Sequence, residues 1–173
     1  GWIATRAAGH YATAYTQIDD HIESLRVVTP AGLVASRRLP TSGAGPNPDR
    51  LFLGSEGALG IITEAWVRLH KRPTFRSATT VTFGDYAKAV DAVRVISQSG
   101  LNPANARLVE REEARFTEAG DGTRDVLVLT FESGDHPLEP WMNRALEICR
   151  DFGGTPDEAA LADEESQRKG AAG

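Results

Sequence analysis

Three glycines spaced three residues apart, at Gly54, Gly57 and Gly60, constrain the fold of this chain more than any other feature. Glycine has no Cβ, so it accepts positive φ angles and lets the backbone approach another group closely. One glycine is enough for a tight turn, whereas three in "LFLGSEGALG" indicate that the main chain itself lies against something. A bend or bulge before the next element is the other interpretation, and spacing alone does not separate the two.

The best-known glycine-rich loops do not match this stretch. A phosphate-binding P-loop ends in Gly-Lys-Ser or Gly-Lys-Thr, and no such pair occurs here. A dinucleotide fingerprint needs a second glycine where Glu56 stands. Residues 61–69 then alternate as a strand does. One predicted face carries Ile61, Thr63, Ala65, Val67 and Leu69.

Composition excludes several classes of protein. The net charge of −5 and the scattered basic residues argue against a nucleic-acid partner. The sequence has no apolar run of the roughly 18 residues that a membrane span needs. A single cysteine, Cys149, excludes an internal disulfide and favours a reducing, cytoplasmic location. The chain opens on Gly-Trp-Ile without Met and closes on Gly-Ala-Ala-Gly, so we expect a fragment of a longer protein.

The first half reads as β-rich. A strand is predicted over residues 22–28, followed by a turn at Thr29-Pro30-Ala31-Gly32 and a return strand over residues 33–35. Residues 41–49 are rich in Gly, Pro and Ser, which indicates a loop. The composition and the spacing of apolar residues then change, and a domain boundary is predicted near residues 70–77.

The second half alternates strands and helices. Its order is β-α-β-(α)-β-α, which is typical of a ferredoxin-like sheet with helices on one face. The predicted elements are strands over residues 79–83, 106–110 and 126–131, a helix over 86–99 capped by Asp85, a short helix over 111–119, and a last helix from His136-Pro137 to Gly153-Gly154.

Most side chains that could act in catalysis or metal binding have an ordinary structural explanation. The four histidines lack metal-ligand spacing, so no metal site is expected. Cys149, Trp141 and Met142 are predicted to pack in the core, whereas Asp19-Asp20 and residues 110–113 are predicted to be solvated charges. Ser55 directly follows Gly54 and therefore does not form a nucleophile elbow.

Two features remain unexplained: the triple-glycine loop and the Thr5-Arg6 pair within a glycine-flanked apolar stretch. An arginine in that position serves an anionic ligand or pairs with an acidic residue such as Glu56.

At these residues the sequence resembles a known family. "GWIATRAAG", "YTQIDDHIESLRVVTPAGLV" and "GPNPDRLFLGSEGALGIITEAWVRLHKRP" are similar to the second half of the PCMH-type FAD-binding domain of vanillyl-alcohol-oxidase-type flavoproteins. The pattern "GSEGALGIITEA" is shared broadly, including by glycolate and D-lactate dehydrogenases. "GWIATRAAG" is narrower and resembles the alkyldihydroxyacetonephosphate-synthase-like group, as does "LNPANARLVEREEARF" at the start of a cap domain.

The resemblance implies an α+β fold: residues 1–73 as the C-terminal part of an FAD-binding domain, and residues 74–173 as part of a ferredoxin-like cap domain. It implies FAD as the cofactor, with the Thr-Arg stretch and the glycine-rich stretch along it. The implicated residues are Thr5, Arg6, Ala7, Ala8, Glu56, Gly57, Ala58, Leu59, Gly60, Ile61 and Ile62.

The activity implied is exchange of an acyl for an alkyl group on dihydroxyacetone phosphate, in ether lipid synthesis. The alternatives are an FAD-linked dehydrogenase or oxidase of a 2-hydroxy acid such as glycolate or D-lactate, and a non-catalytic flavin-binding module. No catalytic residue is assigned within the chain. A small-molecule or lipid substrate, a homodimer and peripheral membrane contact of the full-length protein are expected, and no nucleic acid.

Two positions depart from the family pattern. Ala58 replaces a commoner Thr, which removes one hydroxyl. Thr16 follows Tyr15 where the family often has Gly, so a different turn is expected there.

Overall fold

The computed structural model describes residues 1–39 and 43–157. These form two compact units that divide between Lys71 and Arg72. Each unit has its own sheet and its own apolar cluster. In the described part of the chain, no helix is both long enough and apolar enough to cross a bilayer.

The first unit contains a three-stranded antiparallel sheet in the order β2-β1-β3. The predicted hairpin is confirmed, and its turn lies between Thr29 and Gly32. Residues 41 and 42 of the predicted loop lie outside the described residues, and the loop ends where a short helix begins at Asp49. The elements are α1 (Ala12–Tyr15), α2 (Ile18–His21), β1 (Ile22–Thr29), β2 (Gly32–Ala35), α3 (Asp49–Phe52) and β3 (Ile61–Val67).

The predicted alternation along β3 is wrong beyond its first residues. Arg26 pairs with Glu64 but Val27 pairs with Ile62, so Thr63 is an extra residue on β3. Such a bulge shifts the side-chain parity of the strand. As a result Ile62 and Ala65, three residues apart, both pack on the core of the first unit. The Thr63 hydroxyl donates to the Arg26 carbonyl at 3.2 Å and fills the gap in the ladder.

The second unit has a four-stranded sheet in the order β5-β6-β4-β7, with antiparallel neighbours throughout. This is the split βαβ order, so the ferredoxin-like prediction is confirmed. The elements are β4 (Phe75–Phe83), α4 (Tyr86–Gln98), β5 (Asn105–Val109), α5 (Arg111–Phe116), β6 (Asp125–Ser133), α6 (Glu139–Asp151) and β7 (Thr155–Pro156).

The helix ends of this unit follow the sequence signals in one case and depart from them in another. Asp85 caps α4 as predicted, because its carboxylate accepts the Ala87 N–H at 2.9 Å. Helix α6 begins three residues later than predicted, with Pro140 in its first turn. His136 instead contacts the Ser133 hydroxyl through Nδ1 at 3.0 Å, which keeps it in the connecting turn.

The core of the second unit confirms two packing predictions and contradicts one. Met142 and Cys149 are buried between α6 and the sheet. Burial raises the pKa of the Cys149 thiol to about 11, which fits a packing residue rather than a nucleophile. Trp141 is 38% exposed, and its ring lies against the rings of Phe131 and His136, with centroids 6.4 and 5.1 Å apart.

Candidate cofactor site

The Thr5-Arg6 segment and the glycine-rich loop lie side by side. The Gly54 N–H donates to the Ile3 carbonyl at 3.3 Å, and the Glu56 N–H donates to the Ala4 carbonyl at 3.1 Å. An ideal Cβ on Gly54 would lie 3.1 Å from the Arg6 Cβ. The structure therefore brings together the two segments that the resemblance implicates.

Both segments hold a non-glycine residue in the left-handed region. Arg6 has φ 52° and Glu56 has φ 48°. A single residue of this kind costs on the order of 1 kcal/mol and persists only where its surroundings impose it. The Arg6 turn is fixed by the Thr5 N–H on the Gly1 carbonyl and the Ala7 N–H on the Trp2 carbonyl, both at 2.9 Å. Strain of this kind concentrates at ligand-binding segments.

The three glycines have three different structural reasons. Gly54 makes room for the Arg6 side chain. Gly60 packs on β1, because a Cβ there would lie 2.6 Å from the Val28 carbonyl oxygen. Gly57 has φ 91° and open space where its Cβ would be. Of the three glycines, only Gly57 has open space where a Cβ would be, so it is the one at which a ligand could approach the backbone.

The surface around Gly57 is apolar. Leu59 is 48% exposed and Ile61 is 69% exposed. Ile62, which the resemblance also implicates in FAD binding, lies on the opposite face of the strand from Ile61, as the alternation predicts, and packs on the core of the first unit. We call residues 56–61 the flavin ledge: an open glycine backbone flanked by two exposed aliphatic side chains.

Arg6 does not pair with Glu56, which was the partner considered from sequence. Its guanidinium donates to the Asp19 carboxylate at 2.7 Å, and Arg50 donates to the same oxygen at 3.2 Å. Asp19 is buried, so its prediction as a solvated charge is wrong. Asp20 is exposed and pairs with Arg50 at 2.8 Å. The ion pair between Asp19 and Arg6 thus fixes the Arg6 segment to α2. No sequence pattern predicted this ion pair.

The turn at Thr16 keeps a conformation that glycine favours. Thr16 has φ 62° and ψ −168°, a region almost restricted to glycine. Its side chain lies at the border of two hollows. One, about 300 Å³, is lined by Trp2, Ala7, Ala8, Gly9, Thr16, Ile18 and His21.

The other hollow is larger, about 840 Å³, and several charged side chains line it. Arg37, Arg50, Arg68 and His70 are among its lining residues, together with several carboxylates. None of the predicted cofactor residues lines it. Among the described residues no group of three or more His, Cys, Asp or Glu side chains is placed to hold a metal.

These features fit a flavin. An isoalloxazine ring needs a flat apolar neighbour and backbone polar groups at its edges. Leu59 and Ile61 offer the first, and the open backbone at Gly57 offers the second, whereas the Ala58 N–H already donates to the Ser55 carbonyl at 2.8 Å. The side chain of Ile62 and the Cα face of Gly60 are turned toward the protein instead.

The family of the chain follows from sequence comparison. The family model described as "FAD linked oxidases, C-terminal domain" matches residues 72–172, more than half of the 173 residues. The chain therefore belongs to the FAD-linked oxidases, a family of FAD-dependent enzymes, and FAD as the cofactor of the family is confirmed.

Individual relatives narrow the resemblance. Alkyldihydroxyacetonephosphate synthase of Dictyostelium discoideum is 40% identical over 119 residues, which cover 69% of this chain and 20% of that protein. The probable mitochondrial D-lactate dehydrogenase of Danio rerio is 32% identical over 178 residues, covering 98% of this chain and 36% of that protein.

A solved structure of alkyldihydroxyacetonephosphate synthase superposes with a TM-score of 0.74 at 28% identity, over 90% of this chain and 32% of that one. The expected α+β flavoprotein fold is thereby confirmed. The chain spans between about a fifth and about a third of the length of these relatives.

The Asp19 contact predicts a pH-dependent stability. The Arg6 hydrogen bond holds the Asp19 pKa below its ordinary value, against the opposing effect of burial. The resulting stabilisation is present above the unfolded pKa of about 3.9 and is lost as the pH falls through the lower folded value. Asp19→Asn should therefore destabilise the protein at pH 7 by about 1–2 kcal/mol, since both arginines are half exposed and screened.

Urea unfolding of the full-length protein and its Asp19→Asn variant, at pH 7 and at pH 3, measures this difference. We expect the gap in unfolding free energy to shrink at pH 3. Asp20→Asn, on the exposed neighbour, is the control and should change stability little. An unchanged gap at both pH values would contradict the role given to Asp19.

Proposed function

We propose that the full-length protein is an FAD-dependent enzyme of the alkyldihydroxyacetonephosphate-synthase-like group. The observation that carries this proposal is the 40% identity to the Dictyostelium discoideum synthase, in a chain whose Arg6 and Glu56 segments are joined as one surface. Bound FAD would supply the flavin ring at which an acyl ester is exchanged for an alkyl ether without net oxidation.

In this proposal the residues of the chain position the ring. The flavin ledge holds one face of it, with Leu59 and Ile61 excluding water and the backbone of Gly57 at its polar edge. The ion pair between Arg6 and Asp19 holds the Arg6 segment in place beside the ledge. Residues that move protons during the exchange are not assigned within the chain.

A second candidate is an FAD-linked dehydrogenase of a 2-hydroxy acid. It is favoured by the Danio rerio relative, which matches 98% of this chain at 32% identity. A homodimer, peripheral membrane contact, a cytoplasmic location and the division into FAD-binding and cap domains at residues 73–74 remain predictions of the resemblance. The absence of a nucleic-acid partner remains one as well.

Turnover separates the two candidates. The full-length protein is incubated with an acyl-dihydroxyacetonephosphate and a long-chain alcohol, and separately with D-lactate or glycolate, while flavin absorbance is followed. We expect release of the fatty acid and formation of the alkyl ether, with the flavin absorbance retained at the end. Bleaching of the flavin by D-lactate or glycolate without ether formation would replace our proposal by the dehydrogenase.

Gly57 tests the placement of the cofactor. Gly57→Ala in the full-length protein adds a Cβ at φ 91° where the structure leaves open space, so folding alone loses about 1 kcal/mol. If the flavin lies on the ledge, the Cβ also meets the ring, and we expect FAD content to fall at least fivefold. FAD per protein is measured by absorbance after gel filtration.

Gly100→Ala is the matched control, because Gly100 has φ 79° and equally open space in the second unit. It should lose similar stability and keep its FAD. Gly60 is unsuitable for this purpose, since its Cβ would strike the Val28 carbonyl whatever the ligand. Equal FAD retention in Gly57→Ala and Gly100→Ala would show that the ledge does not hold the cofactor.

A further inference from the structure

We propose that three stacked rings in the first unit form a pH-sensitive clasp, which holds the segment after β3 at neutral pH and releases it when two histidines are protonated. The rings belong to Tyr15, His21 and His70, and we call them the histidine clasp. The inference goes beyond the proposed function, because it concerns how one segment is held and not what the flavin does.

His70 is the middle ring of the clasp. Its centroid lies 5.4 Å from that of Tyr15 and 5.2 Å from that of His21, and both contacts are edge-to-face. Tyr15 is the last residue of α1, and His21 is the last residue of α2. One side chain that follows β3 is therefore held by two helices at once.

The segment that carries His70 is also anchored through its backbone at Arg68. The Arg68 N–H donates to the His21 carbonyl at 2.7 Å, directly after Val67, the last residue of β3. Leu69 is 85% exposed, so its side chain adds little packing. The first unit ends at Lys71. Opening of the clasp would therefore free the end of the first unit from α1 and α2.

The two imidazoles make the clasp sensitive to pH. Histidine is the side chain that ordinarily changes charge between pH 5 and 8. One protonated imidazole fits the clasp, because a cation is attracted to the face of a neighbouring aromatic ring. Two protonated imidazoles do not fit, because like charges on rings 5.2 Å apart repel each other.

The surrounding charges do not compensate a second proton. His21 and His70 line the larger hollow, whose charged residues, together with the arginine bound to Asp19, are four carboxylates and four arginines. They are Asp19, Asp20, Glu23, Asp49, Arg6, Arg37, Arg50 and Arg68. The charges are thus equal in number before either histidine is protonated. Lys71, next to His70 in the chain, adds a further positive charge.

The buried carboxylate in this group keeps its charge while the histidines titrate. The Arg6 hydrogen bond holds the pKa of Asp19 below its ordinary value, so Asp19 stays ionised between pH 7.5 and 5.5. His70 is exposed, and solvent therefore screens part of the repulsion within the clasp. We accordingly expect local release of the segment and not unfolding of the first unit.

Hydrogen exchange of the Arg68 amide in the full-length, FAD-loaded protein measures this release. Its protection factor, which corrects for the effect of pH on the intrinsic exchange rate, should fall about fivefold or more between pH 7.5 and pH 5.5. Sodium chloride at about 1 M should reverse part of the fall, because the Debye length is then about 3 Å. Equal protection at both pH values, or a fall that salt does not reduce, would overturn the inference.

His70→Phe and His21→Phe separate charge from packing. Each keeps a ring in the clasp and leaves only one imidazole, so the protection factor of the Arg68 amide should change less than about twofold over the same pH range. Either variant decides the question if the other does not fold. A fall as large as that of the wild type in these variants would mean that another group carries the pH dependence, and would overturn the clasp.

His136→Phe is the matched control. His136 also packs on an aromatic ring, with its centroid 5.1 Å from that of Trp141, but it belongs to the second unit and its partner ring carries no titratable group. This variant should leave the fall in Arg68 protection unchanged. Disappearance of the fall in His136→Phe would contradict the assignment to His21 and His70.

Discussion

Two backbone hydrogen bonds, from the Gly54 N–H to the Ile3 carbonyl and from the Glu56 N–H to the Ala4 carbonyl, hold the candidate cofactor surface of the first unit together. They join segments far apart in the sequence into one surface, and they do so without side chains. Because each donor is a main-chain N–H, the contact depends on the backbone conformation of the loop. This explains why Gly54 is needed, since a Cβ there would press on Arg6.

The charge arrangement follows from this contact. Arg6 is held in a left-handed conformation at the edge of the joined segments, and its guanidinium reaches a buried carboxylate on α2. Asp19 accepts from Arg6 and Arg50 through one oxygen, which orients both cations with little net charge around them. A buried carboxylate with two arginine partners is costly to break, because removing the partners would leave an uncompensated charge.

Much of the fold could be predicted from local signals in the sequence. Asp85, the Thr29–Gly32 turn and the strand–helix order of the second unit act over a few residues, and the structure has them as expected. The failures are non-local. The bulge at Thr63 is fixed by pairing with β1, and the burial of Asp19 is fixed by arginines at positions 6 and 50.

The candidate site shows the same division. The glycine spacing indicated a close approach of the backbone, but it could not show that Gly60 meets β1 and that Gly57 is open. The resemblance implicated residues 5–8 and residues 56–62 in one cofactor site, and the structure places the two segments side by side. It did not announce that Thr16 would adopt the backbone conformation of the glycine it replaces, because that depends on the neighbouring turn and not on residue type.

Hydrogen exchange on the full-length protein, with its FAD removed and restored, tests the central claim most directly. The claim is that residues 5–8 and 56–61 form one preassembled flavin-binding surface. We predict that FAD slows amide exchange in both segments together, while the open glycine turn at Gly100 exchanges at the same rate with and without FAD. Slower exchange confined to other parts of the protein, with residues 5–8 and 56–61 unchanged, would contradict the account.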